Sequence, residues 1–383
     1  MTLTSIRDRL GLSSRVHRST AHERGNVRQH RYRRKRRRSI LEHLEDRRVL
    51  ATYMVTSLAD SGAGSLRDAL QSANATGATD AIVFDEALAG TINLTVANGA
   101  LQVTSPVSIQ GPGSGSVTVD AMATSSDKFR VFEISDAAND VSITGLTLTG
   151  GMVDDGGGGI LFRSADTLTL VDTVVTGNQA STGGGIYSEY EGSIVLQSSS
   201  VTGNTAESAK GGGIHAVDGD VTLTDSTISG NYSYSDGAGI FSQYAGNISI
   251  TDSQVVNNKV TEAGYHGGGI YGANGDITIT GSTISGNESK GDGGGVYSYK
   301  GSLTISNTTV TGNSADYGGG GVFNYEGDLT VTSSVFTNNN ADYGGGGGIG
   351  NTAGRLTISG TRITDNQAVG DGGGVATNNG LVD

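Results

Sequence analysis

The 383-residue sequence has no cysteine, no tryptophan and only 2 prolines. Without thiols there are no disulfides, no cysteine–zinc centres and no thiol nucleophile. No stretch approaches the roughly eighteen consecutive apolar residues that a membrane-spanning helix needs. No apolar run of seven or more residues follows the basic N-terminus, so the pattern of an ordinary secretory signal is not met. Positive charge is scarce beyond residue 50. Residues 1–50 hold 15 of the 25 Lys and Arg but 5 of the 38 Asp and Glu, leaving formal charges of +10 on that segment and −23 on the rest. An acidic body repels nucleic-acid backbones, suits an exposed or exported surface, and favours divalent cations or basic polymers.

Glycine is abundant: 63 residues, with no Gly-X-Y period. That excludes collagen and points to a turn-rich β chain or to disorder. The arginine-rich stretch from Arg31 to Ser39 leaves three readings open on charge alone: a nucleic-acid arm, a membrane-surface tether or a targeting segment. Behind it, Ser65 is placed to cap a helix whose Leu66, Ala69, Leu70 and Ala73 fall on one face, a short amphipathic element that needs a surface to cover. Short β-branched segments follow, among them AIVFDE, GTINLT and SVTVD, each bounded by turn residues.

From about residue 141 the chain becomes periodic. Aliphatic triplets begin at Leu168, Ile194, Val221, Ile248, Ile277, Leu303, Leu329 and Leu356, separated by 26, 27, 27, 29, 26, 26 and 27 residues. A second aliphatic column follows the glycines, from Ile160 and Ile186 through Val296 to Val375. Propeller blades need about 40 residues per unit, and leucine-rich repeats need a consensus that is absent. A sandwich does not copy one unit eight times. The period predicts an all-β fold, a single-stranded parallel β-helix of 26–27 residues per coil, with two or three short strands per coil and the Ser65 helix as its cap. Four aliphatics per coil do not offset the backbone entropy of ordering it, so coils must stabilise one another. Three regions follow: a basic segment at 1–50, a cap with irregular coils at 51–140, and regular coils at 141–383. The last phrase, GGGVATNNGLVD, breaks off where its next triplet is due, which predicts a longer parent chain and an edge open to pairing.

Glycine and asparagine take structural roles in this scheme. The triple glycines, such as Gly183 to Gly185, permit positive φ and a corner where a Cβ crowds the next coil. Asn178, Asn204, Asn231, Asn287, Asn313 and Asn366 end their strands, and two coils offer pairs, Asn257 with Asn258 and Asn338 with Asn339. An amide both donates and accepts, so a stacked column of them can satisfy itself.

Three resemblances attach to these residues. Arg-rich residues followed by LEHLEDRRVLA, with Leu41, Glu42, Leu44, Glu45, Arg47, Val49 and Leu50 in place, resemble the N-terminal motif of planctomycete extracellular proteins. That resemblance implies export or surface display rather than nucleic-acid binding. GGGIY followed by SIVLQSSSVTGN is similar to the repeats of the polymorphic outer-membrane adhesins of chlamydiae, within the pectate-lyase-like β-helix superfamily. VTSLADSGAGSLRDALQSAN is similar to the opening of bacterial surface proteins of the CSLREA type, with its cysteine replaced. Together the last two imply a right-handed β-helix that is secreted or displayed on the cell surface or outer membrane.

Lyases on this fold gather acidic residues around Ca²⁺ and use a nearby Arg or Lys as base. The body has arginines only at 67, 130, 163, 355 and 362, none in a visible acid cluster. Asp155, Asp236, Asp292 and Asp371 precede glycine corners, with Asp316 and Asp342 nearby. Asp236, Asp292 and Asp371 are candidate Ca²⁺ ligands, but solvated turn aspartates are the simpler account, and the column is broken by Thr182, Lys210 and His266. Strand alternation turns Tyr187, Phe241, Tyr271, Tyr297 and Phe323 outward, an exposed ladder able to stack on sugar rings or a partner protein and interrupted at His215, Gly350 and Ala376. The Lys259–His266 insertion reads as an ordinary loop. The expectation is a non-catalytic, exported β-helix with an adhesive, structural or glycan-contacting role, needing no cofactor unless Ca²⁺ binds. Its expected partners are polysaccharide or a cell-surface protein. The alternative is a lyase or glycoside hydrolase acting on acidic polysaccharide.

Overall fold

A computed structural model describes residues 50–378. The expectations for the arginine-rich segment, for the export motif up to Val49 and for the end of the chain lie outside these residues. Four sheets run side by side along the described chain, and their strands pair in parallel with the same segment one coil away. The first sheet has 12 strands, from Thr52–Val55 to Leu356–Ser359; the second and third have 11 each, ending at Arg362–Thr364 and Val375–Asn378. A fourth, of 8 two-residue strands, starts at Gln179–Ala180. This is an all-β parallel solenoid. A regular coil has four strands rather than two or three: Val296–Tyr299, Leu303–Ser306, Thr309–Thr311 and Ser314–Ala315. The fourth is too short for a periodicity signal, since two residues cannot show alternation.

Each coil sends the same aliphatics inward. Val296, Leu303, Ile305 and Val310 are fully buried, and their counterparts in the other coils join them in one continuous core. The helix Leu66–Asn74, α1, closes the first end. Ser65 Oγ accepts the Asp68 N–H at 3.2 Å, while Leu66, Ala69, Leu70 and Ala73 are buried. Arg67 clamps this cap, donating to the carbonyls of Gly99 at 2.8 Å and Ala100 at 2.9 Å and to Asp60 at 2.7 Å. Burial works against the Asp60 charge, but hydrogen bonds from Asn98, Thr95 and Arg67 hold its carboxyl below the usual range.

Two internal polar ladders replace the hydrogen bonds that water would otherwise supply. Each ladder asparagine donates from Nδ2 to the Oδ1 of the next, at 3.1 Å from Asn178 to Asn204 and 2.8 Å from Asn339 to Asn366. The same Oδ1 also accepts the preceding asparagine's backbone N–H, at 3.0 Å in the first of these steps. Of the two pairs, Asn258 and Asn339 carry the ladder, and Asn257 and Asn338 sit outside it at positive φ. A second ladder of hydroxyls, Thr173, Ser199, Ser226, Ser253, Ser282, Thr308, Ser334 and Thr361, links each backbone N–H to the next Oγ. Sequence reading missed it, although these residues always stand two before the third aliphatic of a triplet.

The glycine triplets divide their work. The first takes positive φ, as Gly293 does at 67°, a region that favours glycine. The third meets the adjacent coil: a Cβ on Gly295 would lie 2.5 Å from the Gly321 carbonyl oxygen.

Candidate functional site

The outward register of the third sheet stacks rings without interruption. Tyr187, His215, Phe241 and Tyr271 follow one another at centroid distances of 5.0 Å, Tyr271 and Tyr297 at 5.0 Å, and Tyr297 and Phe323 at 5.7 Å. His215 is therefore a rung of the column, not a gap in it. The expectation of an exposed ladder is corrected for two members, because Phe241 is 1% exposed and Tyr297 6%. Tyr187, Tyr271 and Phe323 are half-buried. All five stand outside the central aliphatic core.

Corner side chains fold over these rings and cover them. Thr182 lies 2.6 Å from His215 Nδ1, Lys210 Nζ sits 4.2 Å over the Phe241 ring, and His266 stacks on Tyr297 at 4.5 Å. Gln243 holds the other nitrogen of His215 at 3.0 Å. Burial pushes the His215 imidazole down to about 4, and Lys210 adds to the effect. The column ends over Gly350, where a Cβ would meet the Phe323 ring at 2.6 Å.

The corner residues form their own column, Thr182, Lys210, Asp236, His266, Asp292, Gly318, Gly345 and Asp371, joined by the backbone bonds of the glycines after them. Asp236 accepts the His266 N–H at 2.9 Å and pairs with Lys210 at 3.4 Å. His266 Nδ1 accepts the Asp292 N–H at 2.9 Å, so the Lys259–His266 insertion ends in a structural contact rather than in a plain loop. Asp292 Oδ1 accepts the Gly318 N–H at 2.7 Å, and burial raises its carboxyl above the ordinary range. The His266 corner separates Asp236 from Asp292, two coil steps apart, while two glycine corners separate Asp292 from the exposed Asp371. The three candidate Ca²⁺ ligands are thus not brought together. Among the described residues no group of three or more His, Asp or Glu is arranged to hold a metal ion.

An acid cluster that sequence reading did not see surrounds two arginines. Glu133 takes Arg130 at 3.3 Å and Arg163 at 2.5 Å, Arg163 reaches Glu189 at 2.7 Å, and Arg130 also pairs with Asp155. Lys128, Arg130, Glu133, Asp154 and Asp155 line a cavity of about 530 Å³. Burial opposes the Glu133 charge, but Gln102 and the two guanidiniums hold it below the usual carboxylate range. Burial likewise opposes the Arg163 charge, yet Glu189 and Glu133 raise its basicity further. An arginine so stabilised stays protonated and is a poor proton acceptor, and a carboxylate so stabilised stays ionised, a weak base with no proton to donate. The cluster is suited to balancing charge across coils.

Its sequence signal is the coil period. All five lysines of the body pair with an acid one coil further along: Lys128 with Asp154, Lys210 with Asp236, Lys259 with Glu288, Lys290 with Asp316 and Lys300 with Glu326. The outer register of the first sheet is uncharged over six coils, with Thr222 and Thr224, Ser249 and Thr251, Thr278 and Thr280, Thr304 and Ser306, Thr330 and Thr332, and Thr357 and Ser359 side by side.

Residues 112–292 and 218–381 match the family model described as the right handed beta helix region. No curated protein matches the chain.

Proposed function

The chain belongs to the right-handed β-helix family, and from that premise we propose that it is an exported or cell-surface scaffold that contacts glycans without cleaving them. The observation that carries this reading is the repeated hydroxyl exterior of the first sheet. Coil after coil presents hydroxyls there, and Arg130 and Arg163 beside the third sheet are each engaged by acids of neighbouring coils. A catalytic centre on a solenoid departs from the repeat, because it needs unpaired acid and base groups at matched pKa values. Export and surface display are supported by the acidic body and by the resemblance of residues 41–50 to an extracellular motif. No described helix is long and apolar enough to cross a membrane.

The second reading, a lyase or hydrolase of acidic polysaccharide, is favoured by one observation, the cavity around Arg130 and Glu133. Incubation of the protein with a panel of polyuronates and Ca²⁺, followed by ultraviolet absorbance of unsaturated products and by reducing-end assay, separates the two. The scaffold reading expects neither signal, and either one establishes the enzyme. Protease shaving of intact cells tests the location: loss of the protein from unlysed cells is expected, and full protection overturns surface display.

A further inference from the structure

We infer that the protein carries a glycan-binding site at Tyr190 and Tyr244, on the corner between the third and first sheets, and that it takes a linear hexopyranose chain without acidic groups. The inference rests on the glycan-contacting reading above and gives it a place.

The corner is defined by stacked glycines, Gly192, Gly219, Gly246, Gly275, Gly301, Gly327 and Gly354, each close to the carbonyl of the one before. From the inward aliphatic to this glycine, the segments Ile186–Gly192 and Ile240–Gly246 are one residue longer than Ile214–Gly219, Ile270–Gly275 or Val296–Gly301. Both longer turns carry a tyrosine. The added residue widens the turn, and although the Tyr244 N–H still donates to the Val217 carbonyl at 3.0 Å, both tyrosine side chains stand at the surface of the corner. Tyr190 is 50% exposed and Tyr244 52%, in contrast to the covered rings of the sheet itself.

The two tyrosines wall a cavity of about 490 Å³, with Val217 of the intervening coil between them. Two coil steps put them about 10 Å apart. In an extended β-linked chain alternate sugar rings present the same face over a comparable disaccharide length. Each tyrosine can thus take the apolar face of one ring, with Val217 beneath the ring between. Exposed aromatic platforms of this kind favour recognition. The rim sets the charge of the ligand. Asp136, Glu189, Glu191 and Asp218 line the cavity against one cation, Arg163, and that cation is shared with Glu133 and Glu189. A polyuronate meets net repulsion here, while neutral or amino-bearing sugars do not.

The test is calorimetric titration of the whole chain with hexasaccharides of β-linked glucose, β-linked glucosamine and galacturonate. At least one of the first two is expected to bind and the third to give no heat. Tyr190→Ala and Tyr244→Ala should each weaken binding about tenfold, the double variant should abolish it, and Tyr190→Phe with Tyr244→Phe should retain it. Tyr343→Ala, at a residue 74% exposed in another corner, should leave it unchanged. Matching thermal unfolding keeps the comparison free of folding defects. Binding that survives in the double alanine variant, or preference for galacturonate, overturns this site while the glycan reading stands. Binding of none of the three by the unaltered protein overturns both.

Discussion

The Nδ2 of Asn258 donates to Oδ1 of Asn287, 2.9 Å away and one coil along, while Ile228 in the preceding coil accepts from the same nitrogen at 3.0 Å. One amide therefore ties three coils. Asn258→Ala removes a donor and an acceptor from a fully buried column, and neighbours left unpaired there each cost about 1–3 kcal/mol. Denaturant unfolding should show a loss of about 2–4 kcal/mol. Asn257→Ala, in the exposed place beside it, should cost no more than about 1–2 kcal/mol, the penalty of a left-handed backbone without asparagine.

Ile305→Asp and Asp316→Asn test which way the strands face. Ile305 is fully buried, so a carboxylate there has no partner and should cost several kcal/mol or prevent folding. Asp316 has only a long, half-exposed contact with Lys290 at 3.5 Å, and its replacement should change stability by about 0.5 kcal/mol or less. Equal melting temperatures for the two variants would contradict the inward register.

Gly295→Ala tests the close approach of coils at the glycine corner. A Cβ 2.5 Å from the Gly321 oxygen has backbone in its way and no flexible group to displace. Thermal unfolding should show a clear loss, larger than that of Gly115→Ala, where nothing lies within 4 Å.

His215 gives the stack a pH dependence. Its imidazole is held down at about 4 against an ordinary 6.5 by burial, so the unfolded chain takes up the proton first. Stability should be level above pH 6.5 and fall by about 3 kcal/mol as pH drops from 6.5 to about 4. His215→Phe keeps a ring between Tyr187 and Phe241 but has no titrating group. The difference between the two stability–pH curves should be confined to that window, and a flat difference would contradict the buried imidazole.

The period, the inward aliphatics, the capping helix and the asparagine column are legible in the sequence because each repeats with the coil or follows a local rule. What escaped reading depends on neighbours far apart in the chain. Phe241 and Tyr297 point out of the core as alternation requires, but Lys210 and His266 come from the coil before and cover them. Glu133 stands well apart in sequence from both Asp155 and Glu189, so its cluster with Arg130 and Arg163 is invisible until positions are compared one coil apart. The hydroxyl ladder was hidden by abundance, since Ser and Thr also fill the exterior. Tyr190 and Tyr244 were passed over because they break the period that drew attention elsewhere.

The central claim, a scaffold that holds glycans without cutting them, is tested most directly by frontal chromatography of the whole chain on immobilised linear glycans, with the eluate analysed for released oligosaccharide. The account predicts retardation on neutral or amino-bearing polymers and no released product. Released oligosaccharide, or passage through every column unretarded, would contradict it.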